Sequence, residues 1–126
     1  MNDYKDLKVW QEAIDLVEEV YKLTNSFPNS ETFALANQLK RAAVSVPSNI
    51  SEGASRQSTK EFIHFLYIAL GSASEIETQI IIAQRLDYIK YSNGVIEKIT
   101  KIRKMLNALI SSLKKNKTMT NVNNPP

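Results

Sequence analysis

Four stretches of this chain repeat apolar residues at alternating spacings of three and four, and short clusters rich in Pro, Gly, Asn and Ser separate them. A repeat of this period marks one face of an α-helix. The clearest repeat lies in the last stretch and consists of Val95, Ile99, Ile102, Leu106, Leu109 and Leu113. The chain has only three glycines, which favours long helices over many short strands. The pattern therefore predicts an all-α fold, an up-down-up-down antiparallel four-helix bundle.

The first predicted helix, from about residue 5 to residue 25, carries two neighbouring apolar stripes. One stripe consists of Leu7, Trp10, Ile14, Val17 and Tyr21, and the other consists of Val9, Ala13, Leu16, Val20 and Leu23. Together they are wider than the apolar face that a peripheral helix of a four-helix monomer needs. We therefore expect one side of this helix to lie in an interface between subunits.

The second predicted helix contains a proline. Ser30 is a suitable N-cap for this helix, and Phe33 is among its apolar residues. Pro47 has no N–H to donate, and within a helix it costs about 3 kcal/mol or more. The apolar spacing from Leu39 to Ile50 nevertheless stays in phase across Pro47. We therefore predict one kinked helix that ends near residue 54, rather than two helices.

The third and fourth helices have clear boundaries in the sequence. Ser58 and Glu61 form a capping box, which places the start of the third helix at Ser58. This helix should end near residue 87, and its small residues 71–74 would let a neighbouring helix approach closely. The fourth helix follows a turn at 88–94. Residues 116–126 have no apolar period, so we predict a bundle domain of residues 1–115 followed by a disordered tail.

The composition argues against several classes of protein. The chain has no cysteine, which removes disulfides and thiolate metal sites and fits a reducing cytoplasm. No signal peptide is evident at the start of the sequence. No stretch reaches the roughly 18 uninterrupted apolar residues of a membrane span. We therefore expect a cytoplasmic protein with no membrane partner.

No catalytic or metal-binding constellation emerges. His64 is the only histidine, and with Glu61 it matches half of the Glu-x-x-His pattern of di-iron bundles, which needs a second copy. The serines at 45, 48 and 51 lack a histidine base, and such serines more often satisfy backbone groups of a kinked helix. No Gly-rich phosphate loop occurs. We predict that the protein is not an enzyme, needs no cofactor and binds no metal ion.

Charge is distributed unevenly along the chain. Residues 1–38 carry a net charge of −4, residues 39–86 carry +1 and residues 87–126 carry +6. One explanation is a phosphate-binding C-terminal helix. A second is head-to-tail pairing of subunits, with an acidic helix against a basic one. The third is that the charges only solvate helix faces and a soluble tail.

Cations flank the connection between the second and third helices and line the fourth. Phosphate contacts need little more than such a surface, although the helix dipole also favours lysines near a helix C-terminus. The fourth helix lacks the interleaved aromatics that base stacking on single strands requires. The candidate nucleic-acid contacts are Lys40, Arg41, Arg56, Lys60, Lys98, Lys101 and Lys104.

Three blocks of the chain stand out, YKDLKVWQEA at 4–13, LKRAAVSVPSNISEG at 39–53 and EFIHFLYIALGSASEIETQ at 61–79. All three resemble the bacterial "four helix bundle protein" family, also called the 23S rRNA intervening-sequence proteins. The resemblance covers about residues 4–115. It implies a four-helix bundle that assembles into a homopentameric barrel, without enzymatic activity.

The resemblance also implies partners. Some members of the family are encoded within inserts in 23S rRNA genes. Others are similar to the accessory variability proteins of diversity-generating retroelements, in which a basic surface contacts nucleic acid and a reverse transcriptase. The implied partners are therefore further copies of the chain, RNA or DNA, and a reverse transcriptase or a ribosomal component. Lys40, Arg41 and Arg56 are the residues to which the family's basic surface is carried over.

Two functional hypotheses follow. The first is a nucleic-acid-binding oligomer that acts as an RNA or ribonucleoprotein accessory, supported by the basic C-terminal third and by Lys40 and Arg41. The second is a protein-protein interaction scaffold with no nucleic-acid role, supported by the doubled apolar stripe of the first helix.

Overall fold

A computed structural model describes the backbone of residues 3–123 and the side chains of residues 3–116. Within that part of the chain the structure contains four α-helices, two short 3-10 helices and no strand, which confirms the all-α prediction. The helices are α1 (Lys8–Thr24), α2 (Leu35–Ala54), α3 (Thr59–Arg85) and α4 (Val95–Asn123). Both α1 and α3 pack against α2 and α4, whereas the diagonal pairs α1–α3 and α2–α4 have no Cα atoms within 8 Å of each other among the described residues. This arrangement is a four-helix bundle with consecutive helices adjacent.

Only one of the two apolar stripes of α1 lies in the core. Its buried residues are Val9, Ala13, Leu16, Val20, Leu23 and Thr24. The other stripe is half-buried along most of its length, and Tyr21 at its end is 44% exposed. Leu7, Trp10 and Val17 of this stripe also pack against the core, so the bundle itself covers part of the second stripe, and Tyr21 is its residue most open to another molecule.

The start of α2 differs from the sequence prediction. Ser30 lies in a 3-10 turn, Asn29–Glu31, and α2 begins only at Leu35. The carboxylate of Glu31 replaces Ser30 as the cap, because its Oε2 accepts a hydrogen bond of 3.1 Å from the Leu35 N–H. Phe33 precedes the helix and is 92% exposed, so its assignment to the apolar face of α2 was wrong.

The helix α2 runs without interruption through Pro47, which confirms the prediction of one helix; the kink itself stays a prediction. A polar cluster spans the proline, with Ser45 before it and Asn49 after it. Asn49 Nδ2 donates to the Ser45 carbonyl oxygen at 2.8 Å and to Ser45 Oγ at 2.9 Å. Ser45 Oγ in turn lies 2.8 Å from Ser72 Oγ on α3. The cluster thus joins the two helices through the hydrogen bond between Ser45 and Ser72.

Gly53 lies where α2 approaches α3, as do two of the small residues at 71–74, because Ser72, which hydrogen-bonds to Ser45 of α2, and Ala73 are both buried. A Cβ added at Gly53 would lie 2.7 Å from Phe65 Cβ and 3.0 Å from Phe62 Cδ1. At Gly71, by contrast, an added Cβ would meet nothing within 4 Å. Gly71 is exposed on the outer face of α3, so it does not serve a contact inside this bundle.

The remaining boundaries agree closely with the sequence. Ser58 Oγ accepts a hydrogen bond of 3.1 Å from the Glu61 N–H, which confirms Ser58 as the N-cap of α3. By length and composition α3 would also pass as a membrane-spanning helix among the described residues, and 39% of that stretch is buried inside the bundle. The backbone of α4 stays helical to Asn123. The predicted disorder of residues 116–126 falls mostly outside the described side chains and stays a prediction.

Candidate nucleic-acid interface

Two of the predicted nucleic-acid contacts on α4 are engaged by the acidic side of α1. Glu12 accepts hydrogen bonds from Lys98 at 3.0 Å and from Lys101 at 2.9 Å. These bonds lower the pKa of Glu12, that of Lys101 contributing most, and the bond to Glu12 raises the pKa of Lys98. The carboxylates of Asp15 and Glu19 also lie near Lys98, each 4.0 Å from its Nζ. The acidic and basic helices therefore pair within one chain, which explains the charge polarity without a second subunit.

Arg56 is paired on the surface. Its guanidinium lies 2.6 Å from Glu52 Oε1, one turn earlier, and 5.1 Å from the centre of the Phe65 ring. Both members of the ion pair are about half exposed, and exposed pairs of this kind contribute little free energy. A phosphate could therefore compete with Glu52 for Arg56 more easily than it could displace Glu12 from the partly buried Lys98.

Lys40 and Arg41 form a different kind of site. Lys40 Nζ lies 5.1 Å from the centre of the Tyr21 ring. In the described part of the chain neither cation has a carboxylate within ion-pair distance. A shallow cavity of about 400 Å³ opens between α1 and α2 here and is lined by Tyr21, Asn37, Lys40, Arg41 and Val44. We call these five residues the Lys40–Arg41 surface.

The seven predicted contacts do not form one patch on a single chain. Lys60 is exposed at the start of α3. This is the end of the bundle where α2 stops, opposite the end where α2 begins. Lys104 is exposed on α4 and shares a small groove with Thr100, Arg103 and Asn107. Since α2 and α4 lie on a diagonal, Lys104 is separated from Lys40 and Arg41 by the body of the bundle.

The sequence interpretation missed the aromatic part of the site. Tyr21 was assigned to an apolar stripe, where its spacing fits, but folding places its half-exposed ring beside Lys40. It also missed a cavity of about 510 Å³ whose lining includes Lys22, Tyr88, Lys90 and Tyr91. Lys22 lies in the last turn of α1, and the other three lie in the connection between α3 and α4, far apart in the chain, so no local motif could have grouped them.

His64 lies on the surface of α3, with its ring edge-on to Phe65 at a centroid distance of 5.6 Å. Among the residues that the structure describes, no group of three His, Asp or Glu side chains lies close enough to hold a metal ion.

Comparison with known proteins agrees with the fold. A solved protein of unknown function from the S23 ribosomal protein family of Bacteroides thetaiotaomicron VPI-5482 matches with a TM-score of 0.75 and 27% sequence identity, over 82% of this chain and 95% of that chain. No curated protein matches. The family model described as "23S rRNA-intervening sequence protein" matches residues 5–108, from the turn before α1 into α4. A match of that extent shows that this chain belongs to the 23S rRNA-intervening sequence protein family.

Proposed function

We propose that this protein is a non-enzymatic, cytoplasmic, oligomeric accessory protein that binds RNA through the Lys40–Arg41 surface. The observation that carries the proposal is the geometry of that surface. Two adjacent cations without carboxylate partners among the described residues stand beside a half-exposed tyrosine ring. Cations supply contacts to phosphate, and an exposed ring supplies a face on which a base can stack. Membership of a family named for an intervening sequence of 23S rRNA is consistent with an RNA partner.

The charges of α4 support a smaller role for that helix. Lys98 and Lys101 already bind Glu12, so a phosphate would have to displace a carboxylate that is only 21% exposed. Lys104 has no carboxylate within ion-pair distance among the described residues and remains a candidate. The Lys40–Arg41 surface is therefore the stronger of the two basic regions, although α4 has the higher net charge.

Oligomerisation is supported by apolar side chains on two opposite sides of the bundle. On α3, Tyr67, Ile68, Ile81 and Ile82 are each between 39 and 47% exposed. The half-buried stripe of α1 lies on the diagonally opposite helix. Two different faces favour a heterologous contact, in which one face of each copy meets the other face of the next, and such contacts can close into a ring. The family resemblance implies a ring of five.

A ring would also strengthen RNA binding. Each copy presents its own Lys40 and Arg41, and one strand that contacts several copies gains affinity through multivalency. We expect sedimentation to show an assembly at micromolar concentration. A monomer under these conditions would refute the oligomer without affecting the assignment of the Lys40–Arg41 surface.

The test of RNA binding is a filter-binding titration with single-stranded RNA over a series of salt concentrations. Replacing both Lys40 and Arg41 by Glu should weaken binding and reduce the salt slope by about 0.7 for each phosphate that is no longer neutralised. The matched control replaces Lys5 and Lys8 by Glu, which changes the net charge equally at the start of α1. Absence of wild-type binding at low salt, or equal effects of the two double variants, would refute the proposal.

A second candidate function is a protein-interaction scaffold without a nucleic-acid role. The exposed apolar residues of α3 favour it, because apolar patches of this kind mark protein interfaces. If the wild-type chain assembles but binds no RNA, this function replaces the first.

A further inference from the structure

We propose that the bundle end where α1 stops and α4 begins holds a pocket for one unpaired nucleotide of a single-stranded RNA, with Tyr91 stacking on the base and Lys22 and Lys90 binding phosphate. The inference rests on the proposed function and specifies its substrate class, unpaired strands rather than duplexes. We call this cavity the Tyr91 pocket; it is lined by Lys22, Asn25, Asp87, Tyr88, Lys90 and Tyr91, among others.

The Tyr91 pocket is an open cavity whose size suits a small ligand. Its volume is about 510 Å³, within the range of about 300–1,000 Å³ that is typical of small-molecule pockets. Leu23 and Ile89 contribute apolar surface and are themselves 4% and 7% exposed. The amides of Asn25 and Asn93 also line it. An apolar floor with a few amide groups suits a flat heterocycle that carries hydrogen-bonding edges.

Tyr91 is the stacking face. Its side chain is 68% exposed in the connection between α3 and α4, so it contributes little to the core. Lys90 Nζ lies 5.7 Å from the centre of its ring. The wall beside it is fixed, because the Tyr88 hydroxyl donates to Glu31 Oε1 at 2.8 Å and its ring packs on Phe27. An aromatic ring next to a cation is the combination that single-strand binding surfaces use.

The charges favour phosphate. Neither Lys22 nor Lys90 has a carboxylate within ion-pair distance in the described part of the chain. Asp87 is the one carboxylate among the lining residues, and it reduces the positive charge without cancelling it. Removing the charge of Asp87 should therefore strengthen binding, which separates a phosphate site from an apolar one.

The Tyr91 pocket continues the Lys40–Arg41 surface. Tyr21 lines one cavity and the next residue, Lys22, lines the other. Consecutive residues of a helix point in directions about 100° apart, so the two cavities flank the last turns of α1. A single strand can cross this end of the helix with its bases unstacked. A duplex cannot, because its bases are stacked and paired and offer Tyr91 no free face.

The experiment uses the full chain, a single-stranded RNA oligonucleotide with one 2-aminopurine, and its duplex. Stacking should quench 2-aminopurine in the wild type, and Tyr91→Ala should remove the quenching and weaken single-strand binding between about 5-fold and 150-fold, the range for loss of one base–aromatic stack. Phe33→Ala is the matched control, because Phe33 is an exposed aromatic outside the pocket. It should change neither quantity, and circular dichroism should show both variants folded.

Charge variants complete the test. Lys22→Ala and Lys90→Ala should each reduce the single-strand salt slope by about 0.7, and Asp87→Asn should increase affinity. If RNA binds and depends on Lys40 and Arg41 while Tyr91→Ala behaves like Phe33→Ala, the pocket is refuted and the proposed function stands. If no single strand binds, both fail. If a free mononucleotide binds as tightly as the strand, the pocket is a nucleotide site and the strand assignment is wrong.

Discussion

Replacing Gly53 by Ala tests the packing of α2 on α3. The new Cβ would lie 2.7 Å from Phe65 Cβ and 3.2 Å from the Phe62 carbonyl oxygen, whereas carbon atoms pack best at about 3.5–4.0 Å. Phe65 Cβ is attached directly to the backbone and cannot rotate away. The two helices must therefore separate locally, and overpacking of this kind costs about 1–3 kcal/mol.

Helix propensity acts in the opposite direction. Ala is favoured over Gly by up to about 1 kcal/mol within a helix, and by less at Gly53, since α2 ends at Ala54. The steric cost exceeds this gain, so we expect Gly53→Ala to lower the free energy of unfolding by about 1–2 kcal/mol. At Gly71 the same substitution meets nothing within 4 Å, so only the propensity remains and stability should rise by about 0.4–1 kcal/mol.

The assay is urea denaturation followed by circular dichroism, at one fixed protein concentration because assembly would add to stability. A shift of the midpoint with an unchanged slope would report stability alone. Thermal unfolding should show opposite shifts of about 4 °C per kcal/mol in the two variants. If Gly53→Ala is as stable as Gly71→Ala, the close approach of α2 and α3 at Gly53 is wrong.

Four further substitutions have defined outcomes. The folded state lowers the pKa of Glu12 from its ordinary 4.5 and raises the pKa of Lys98 from its ordinary 10.5, so their pairing should stabilise the protein between pH 4.5 and pH 10.5. Stability should fall as the pH drops below 4.5 through the folded pKa of Glu12. It should also fall as the pH rises above 10.5 through the folded pKa of Lys98. Glu12→Gln should flatten the acid limb in urea titrations at several pH values, and an unchanged limb would contradict the pairing. Tyr88→Phe loses one hydrogen bond to Glu31 and should cost about 0.5–1.5 kcal/mol; Glu31→Ala also loses the cap of α2 and should cost more, so the reverse order in thermal melts would argue against the dual role. Ser58→Ala should cost about 1 kcal/mol through loss of the α3 cap, and a melt like that of the wild type would show the cap to be dispensable.

Features set by neighbouring residues were predictable from the sequence. The continuity of α2 through Pro47 followed from apolar phase, and the cap of α3 followed from two side chains three residues apart. The start of α2 was not predictable in the same way. Glu31, which caps it, is held by Tyr88, a residue 57 positions later. Local preference for Ser30 could not compete with that tertiary contact.

The difference between features set by neighbouring residues and features set by tertiary contacts is clearer at the candidate site. Charge counting pointed to α4 as the basic surface. In the structure Glu12 binds Lys98 across 86 residues of sequence, whereas Lys40 and Arg41 have no carboxylate partner among the described residues. The apolar repeat was enough to define four helices and their order, because helical periodicity depends on residues one turn apart. Which cations are paired, and which aromatic rings stand beside the remaining ones, depends on contacts of a few ångströms between distant segments, and those contacts exist only once the helices have packed.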